Sequence, residues 1–150
     1  LILISIKHKF ILSDFTKNKN NYVILFDGVC NFCNSSVNFI IDNDIKNTFK
    51  FASLQSEYGR KLLKKFNLPV DSFSTLILTD GNSFYTRSTA ALLISKHLKF
   101  PHNLYYVFII VPPFIRNLFY DIVARNRYKW FGKKDACRIP KPEERNKFIE

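Results

Sequence analysis

Two cysteines separated by two residues are the first feature of this sequence that indicates chemistry. The segment Cys30-Asn31-Phe32-Cys33 follows an apolar stretch, 22–26, and precedes residues with a helical pattern. A cysteine at a helix N-terminus meets free N–H groups and the positive end of the helix dipole, which lower its pKa from ~8.5 into the range ~3.5–7.5. The sequence therefore predicts Cys30 as a solvent-accessible nucleophile. Cys33, one turn further, is predicted to be a partly buried thiol that resolves the mixed disulfide with a substrate.

A metal site is the alternative for the same two cysteines. C-x-x-C is half of a zinc knuckle, and Cys137 with His97 or His102 would complete a set of three cysteines and one histidine. Structural zinc ligands usually come as two closely spaced pairs, and the second pair is absent from this sequence. Disulfide exchange without a cofactor is therefore favoured. A non-catalytic, zinc-stabilised binding module with a basic surface is the alternative, and two unreactive core cysteines are a third interpretation.

Charged residues near the pair are further candidates. Asp27 stands three residues before Cys30, and two interpretations stay open: it accepts or relays the thiol proton, or it is a turn residue that caps the helix. A guanidinium from Arg125 would stabilise a thiolate if it came close to the pair. Arg127 is assigned to an ordinary solvated helix end, where cations are favoured.

Cys137 is the third cysteine, and it is either a redox thiol or a small buried residue. We expect it on the same side of the domain as Cys30 but with its Cα atom beyond the ~7 Å that a disulfide allows. Cys137 is therefore a candidate modulator, together with Arg125.

Alternating strand and helix patterns are expected to position these residues. The predicted strands are 22–26, 49–52, 75–79 and 83–86, with a turn at 80–82. The predicted helices run from the cysteines to about 43, over 55–67, from a Ser88 N-cap onward, and over about 114–131 with Gly132 as the C-cap. The apolar run 104–114 is too short for the ~20 residues of a membrane span and is predicted to be buried core. Ile115, Ile122 and Trp130 are predicted to lie on one apolar face of the last helix. Tyr128 is predicted to serve in packing and not in stacking on a ligand.

Composition indicates one globular domain of 150 residues, 47% of them hydrophobic, which excludes a disordered chain. An odd number of cysteines argues against a secreted disulfide framework, so reduced thiols and a cytoplasmic location are expected. The net charge of +11 is spread along the chain, which indicates a solvated basic surface and no specific nucleic-acid partner. We divide the chain into a leader, 1–21, a domain, 22–140, and a polar tail, 141–150, that is expected to fray. The oligomeric state stays open.

The segment LFDGVCNFCNSSVNF, with Asp27, Cys30 and Cys33, resembles the signature of the DCC-type thiol-disulfide oxidoreductases, which are named for those three residue types. The segments 72–91 and 120–140 are similar to the family's middle and C-terminal blocks. The resemblance implies an α/β, thioredoxin-like fold: a mixed sheet of about four strands flanked by helices, with a C-terminal helical extension. It also implies disulfide oxidoreductase activity on protein or small-molecule disulfides. Thioredoxin-like proteins generally carry a cis-proline before the third strand, where this chain has Ser74-Thr75.

Overall fold

A mixed β-sheet forms the centre of the computed structural model, which describes residues 22–70, 75–135 and 139–149. Its strands are β1 (Tyr22–Phe26), β2 (Phe49–Ser53), β3 (Ile77–Thr79) and β4 (Phe84–Thr86), in the order β2-β1-β3-β4. β1 pairs parallel with β2 and antiparallel with β3, and β3 and β4 form the predicted hairpin. The predicted α/β, thioredoxin-like class is confirmed.

Helices cover both faces of this sheet. They are α1 (Asn31–Asn43), α2 (Glu57–Lys65), α3 (Arg87–Ser95) and α4 (Pro113–Phe131). Because successive strand residues point to opposite faces, Ile24 packs with residues of α1 and α3, whereas Leu25 packs with Leu62 and Leu63 of α2. β1 is thus buried on both sides, which explains its uninterrupted apolar sequence. The loop at its end lies between the helix layers.

The apolar run 104–114 is not buried core, so that prediction is wrong. Residues His102–Ile110 form a 3-10 helix that packs against α3 and contains no buried residue. Val107 is 61% exposed and Ile110 is 82% exposed. The reason is that α1 and α3 already cover the sheet face, so the run lies outside that layer. None of the helices in the described part of the chain is long and apolar enough to cross a membrane.

The predicted apolar face of α4 is also exposed. Ile115, Ile122 and Trp130 are solvent-exposed, whereas the buried residues of the helix are Arg116 and Arg127. α4 lies against α1 and α3 with this charged face inward. Its orientation follows from specific polar contacts that the apolar pattern does not reveal.

Two smaller predictions are corrected. Thr86 occupies the N-cap position of α3, and the hydroxyl of Ser88 donates to Asn117 Oδ1 at 2.5 Å across to α4. The tail does not fray over its described residues, since Pro142–Lys147 form a second 3-10 helix and the backbone N–H of Ile149 donates to the carbonyl of Phe51 at 2.8 Å. The division into a leader, a domain and a tail stays a prediction.

Candidate active site

The two cysteines lie where β1 ends and α1 begins, as predicted. The backbone N–H of Cys30 donates to the carbonyl of Asp27 at 3.3 Å, which closes the turn between strand and helix. Cys30 is the N-cap residue of α1, and its Sγ atom accepts a hydrogen bond from the backbone N–H of Cys33 at 3.3 Å. The suggestion that Asp27 caps the helix is therefore wrong, because a cysteine sulfur occupies that place.

Only one of the two cysteines has the solvent exposure that the sequence predicts. Cys33 is partly buried, as predicted, but Cys30 is 0% exposed, so the predicted solvent access of Cys30 is wrong. Both are free thiols. Burial raises the pKa of Cys33, and its hydrogen bond to Cys30 and the electrostatic effect of Cys30 raise it further. Cys33 therefore keeps its proton.

Residues 132–134, which we term the closing segment, lie across the cysteine loop. Lys133 forms an antiparallel bridge with Cys30, and the backbone N–H of Lys134 donates to the carbonyl of Val29 at 2.7 Å. Gly132 ends α4 with a φ of +84°, a left-handed conformation that favours glycine. The chain therefore turns directly from α4 onto the loop that carries Cys30.

Loosening the closing segment is expected to expose Cys30. The Asn31 side chain donates from Nδ2 to the carbonyl of Phe131 at 3.0 Å, so Asn31→Ala removes one tie to the end of α4. One hydrogen bond contributes ~0.5–1.5 kcal/mol, which predicts alkylation of Cys30 by iodoacetamide that is about 2- to 12-fold faster. The rate is measured by mass spectrometry of peptides from the native, reduced protein.

The matched control for that experiment is Asn126→Ala, which removes a bond from Asn126 Nδ2 to the carbonyl of Ile122 within α4. It should leave the labelling rate of Cys30 unchanged. An Asn31→Ala protein that labels no faster than wild type would show that the closing segment does not control access.

Asp27 is the centre of a buried hydrogen-bond cluster. Its Oδ2 atom accepts from Arg127 Nη2 at 2.9 Å and from the hydroxyl of Tyr128, while Oδ1 accepts from Gln55 Nε2 at 2.8 Å and from the backbone N–H of Val29 at 3.2 Å. The side chains of Asp27 and Arg127 are each 4% exposed. Four donors fill the acceptor capacity of one carboxylate. Asp27 thereby ties the end of β1 to the end of α4.

Arg127, in this cluster, interacts electrostatically with Cys33. Burial lowers the pKa of Arg127, but its hydrogen bond with Tyr128 and its electrostatic interactions with Cys33, Tyr128 and Cys30 outweigh that effect, so the net shift is upward. Arg127 in turn opposes the rise in the pKa of Cys33. Burial and the hydrogen bond to Asp27 raise the pKa of Tyr128, which stays a neutral donor. A permanent cation is therefore held beside the two sulfurs.

Sequence reasoning missed Arg127 and Tyr128. Assigning Arg127 to a solvated helix end is wrong, and so is treating Tyr128 as packing alone, because both bind Asp27, 100 residues or more away in the chain. One signal was available: Arg127 is 11 residues after Arg116, a spacing that places both on one face of α4. Arg125, the predicted candidate, is exposed, and it is Arg127 whose guanidinium reaches Asp27.

Some sequence-based predictions concern residues that the structure does not describe, and the leader, 1–21, is one of them. Cys137 lies outside the described residues, as does Ser74. Across residues 22–70, 75–135 and 139–149, no group of three or more histidine, cysteine, aspartate or glutamate side chains is placed to hold a metal ion. The zinc alternative includes Cys137 as a ligand and stays a prediction.

An open cavity of about 940 Å³ begins at this cluster. It lies between α1, α3, α4 and the first 3-10 helix, and its lining includes Cys33, Asp27 and Arg127. Most of the other lining side chains are aliphatic or aromatic, among them Phe32 and Ile40. Cys33 therefore faces an apolar cavity. Cys30 is not among the lining residues and lies under the closing segment.

The chain is similar to a known protein family and to individual proteins. A family model described as DCC1-like thiol-disulfide oxidoreductase matches residues 24–133. The uncharacterized protein YuxK of Bacillus subtilis (strain 168) is 46% identical over 129 residues, which cover 86% of this chain and 94% of that protein. A chloroplastic DCC family protein of Arabidopsis thaliana is 38% identical over 128 residues, which cover 85% of this chain and 74% of that protein. No solved structure matches the chain.

Proposed function

The chain belongs to the DCC1-like thiol-disulfide oxidoreductase family, and we propose that it exchanges disulfides through Cys30 and Cys33. The observation that supports this most directly is the placement of Cys30 at the N-cap of α1, where its sulfur accepts the N–H of Cys33. A hydrogen bond to sulfur at a helix N-terminus stabilises the thiolate, which is the form that attacks disulfides.

The first step is an attack by the Cys30 thiolate on one sulfur of a substrate disulfide. A bond forms between Cys30 and that sulfur, the substrate S–S bond breaks, and the departing thiolate takes a proton from water. The attacking sulfur lies at the N-cap of α1, near the guanidinium of Arg127. Since Cys30 is fully buried at rest, this step follows a local opening of the closing segment.

The second step resolves the mixed disulfide. Cys33 gives its proton to water, its thiolate attacks the sulfur of Cys30, and the second substrate thiol leaves, so that two electrons pass from the cysteines to the substrate. The raised pKa of Cys33 makes this step faster as pH rises, because the attacking thiolate forms only as the proton is lost. An external dithiol then reduces the Cys30–Cys33 disulfide. The reverse sequence oxidises a substrate dithiol.

Asp27 acts in this proposal as a positioning residue. Two of its four hydrogen bonds hold Arg127 and Tyr128 beside the cysteines, and the other two fix the carboxylate to Gln55 and Val29. To accept the proton of Cys33, the carboxylate would first have to give up one of these donors. We therefore favour positioning over the proton-relay role that the sequence left open.

The proposed substrates are protein or small-molecule disulfides, and the proposed location is the cytoplasm. The family supports disulfide substrates in general. An odd number of cysteines, without a secreted disulfide pattern, supports a reducing compartment.

The proposal is tested by equilibrating the protein with glutathione buffers of graded ratio and locating disulfides by peptide mass spectrometry. Cys137→Ser serves as the background in which only the pair can form an internal bond. We expect a reversible Cys30–Cys33 disulfide, with a midpoint between about −270 and −120 mV.

Two results would contradict that expectation. One is a pair that stays reduced at every buffer ratio. The other is one zinc ion per chain, found by metal analysis of protein purified without chelator, together with protection of both thiols, which would favour the zinc-stabilised binding module.

A further inference from the structure

Arg116 carries a buried charge, and two of its three guanidinium nitrogens have no hydrogen-bond partner among the described residues. It lies in the first turn of α4, is 7% exposed, and donates from Nε to the carbonyl of Val111 at 2.8 Å. Its Nη1 and Nη2 atoms are buried and have no hydrogen-bond partner among the described residues. Burial lowers the pKa of Arg116, as expected for a cation that is removed from water without an acid beside it. Buried guanidinium groups are normally paired, so this one is suited to an anion that the described residues do not supply.

The same residue lines the apolar cavity next to the cysteines. A volume of about 940 Å³ falls within the range of ~300–1,000 Å³ that is typical of small-molecule sites. Along α4 the lining residues Arg116, Tyr120, Val123 and Arg127 recur at helical spacing and therefore form one wall. Arg116 and Arg127 are 11 residues apart, which corresponds to about 16 Å along a helix. The cavity thus runs between two arginines, and Asp27 already neutralises the second of them.

We propose that this cavity binds an amphipathic carboxylate, with the carboxylate on Arg116 and an elongated apolar body directed toward Cys33. A carboxylate matches the two free guanidinium nitrogens with two parallel hydrogen bonds. The body is held by the aliphatic and aromatic lining, which includes Phe119 and Leu92. Because Nη1 and Nη2 are covered in the unliganded protein, the side chain turns toward the cavity on binding. The site goes beyond the proposed disulfide exchange and does not depend on it.

Other ligand classes fit less well. A neutral apolar molecule leaves the donors of Arg116 unpaired, and a cationic amphiphile meets a like charge at the end of the cavity. The exposed apolar residues of the first 3-10 helix and of α4 make a membrane surface an alternative binding partner. These alternatives become separate arms of the test.

The experiment is isothermal titration calorimetry of the full, reduced chain with dodecanoate below its micelle concentration. Dodecan-1-ol and dodecyltrimethylammonium are the neutral and cationic probes. Arg116→Gln should weaken dodecanoate binding at least about tenfold and leave dodecanol binding unchanged, since only the charged bonds are lost. Arg60→Gln is the matched control, because it removes the same charge from an exposed residue of α2 on the other face of the sheet.

Folding is checked by thermal unfolding of each variant. Arg116→Gln should have a Tm at least equal to that of wild type in the absence of ligand, because it removes an unpaired buried charge. Ala91→Phe, at a lining residue of α3, should weaken both dodecanoate and dodecanol by filling the cavity.

Three outcomes would overturn the proposal: no binding of dodecanoate, equal affinity of wild type and Arg116→Gln, or a stoichiometry of many ligands per chain. Binding to anionic vesicles that is equal in wild type and Arg116→Gln, without binding of free dodecanoate, would assign the apolar surface to a membrane instead. Because no disulfide takes part, failure of the exchange assay leaves these measurements interpretable.

Discussion

Cys30→Ser is expected to abolish disulfide exchange, whereas Cys33→Ser is expected to stop the reaction at a stable mixed disulfide. Only Cys30 has its sulfur at the N-cap of α1, where the N–H of Cys33 stabilises the thiolate. Burial is the largest cause of the raised pKa of Cys33 and is still present in Cys30→Ser, so Cys33 in that variant remains a thiol and attacks slowly. The two variants therefore fail at different steps.

The aromatic disulfide 5,5′-dithiobis(2-nitrobenzoate) separates these steps, because each released thiolate absorbs visible light. In a Cys137→Ser background, wild-type cysteines should release two equivalents and end as an internal disulfide. Cys33→Ser should release one equivalent and retain a mass adduct on Cys30. Cys30→Ser should react slowly, at a rate close to that of a free cysteine in its protonated form. If Cys30→Ser instead forms an adduct on Cys33 at the wild-type rate, the more exposed cysteine is the nucleophile and the roles are reversed.

The second large effect is expected at the buried ion pair. Asp27→Ala leaves the guanidinium of Arg127 buried and without its carboxylate, a change that typically costs about 3–5 kcal/mol of unfolding free energy. Urea unfolding followed by circular dichroism measures this loss. Replacing both partners, as Asp27→Leu with Arg127→Met, should recover part of it, since no charge is then left unpaired.

The surface pair of Arg87 and Asp121 provides the matched control. Their side chains are 51% and 32% exposed with charged atoms 3.7 Å apart, so Asp121→Ala should change stability by only about 0–1 kcal/mol. If Asp27→Ala costs no more than Asp121→Ala, the buried pair does not hold α4 to the loop after β1.

Local features of the site were predictable because they depend on neighbours in the chain. The apolar run of β1, the turn at Asp27 and the helical spacing after Cys30 place the two cysteines at the start of α1, and the structure confirms this. The same holds for Gly132, whose positive φ ends α4 as its position after the helical pattern predicts. In each case a few consecutive residues carry the signal.

The order of elements, the C-x-x-C at a helix N-terminus and the α/β class follow from the amino-acid sequence alone, because strand and helix periodicities are local properties of the chain. The tertiary structure was needed to show that Arg127 binds Asp27, that Cys30 lies buried beneath the closing segment, and that Arg116 lines an apolar cavity. Periodicity shows which residues share a face of a helix but not what lies opposite that face. The surface opposite α4 contains the carboxylate of Asp27, which follows β1. The charged face of α4 therefore lies inward, and its apolar face is exposed to solvent.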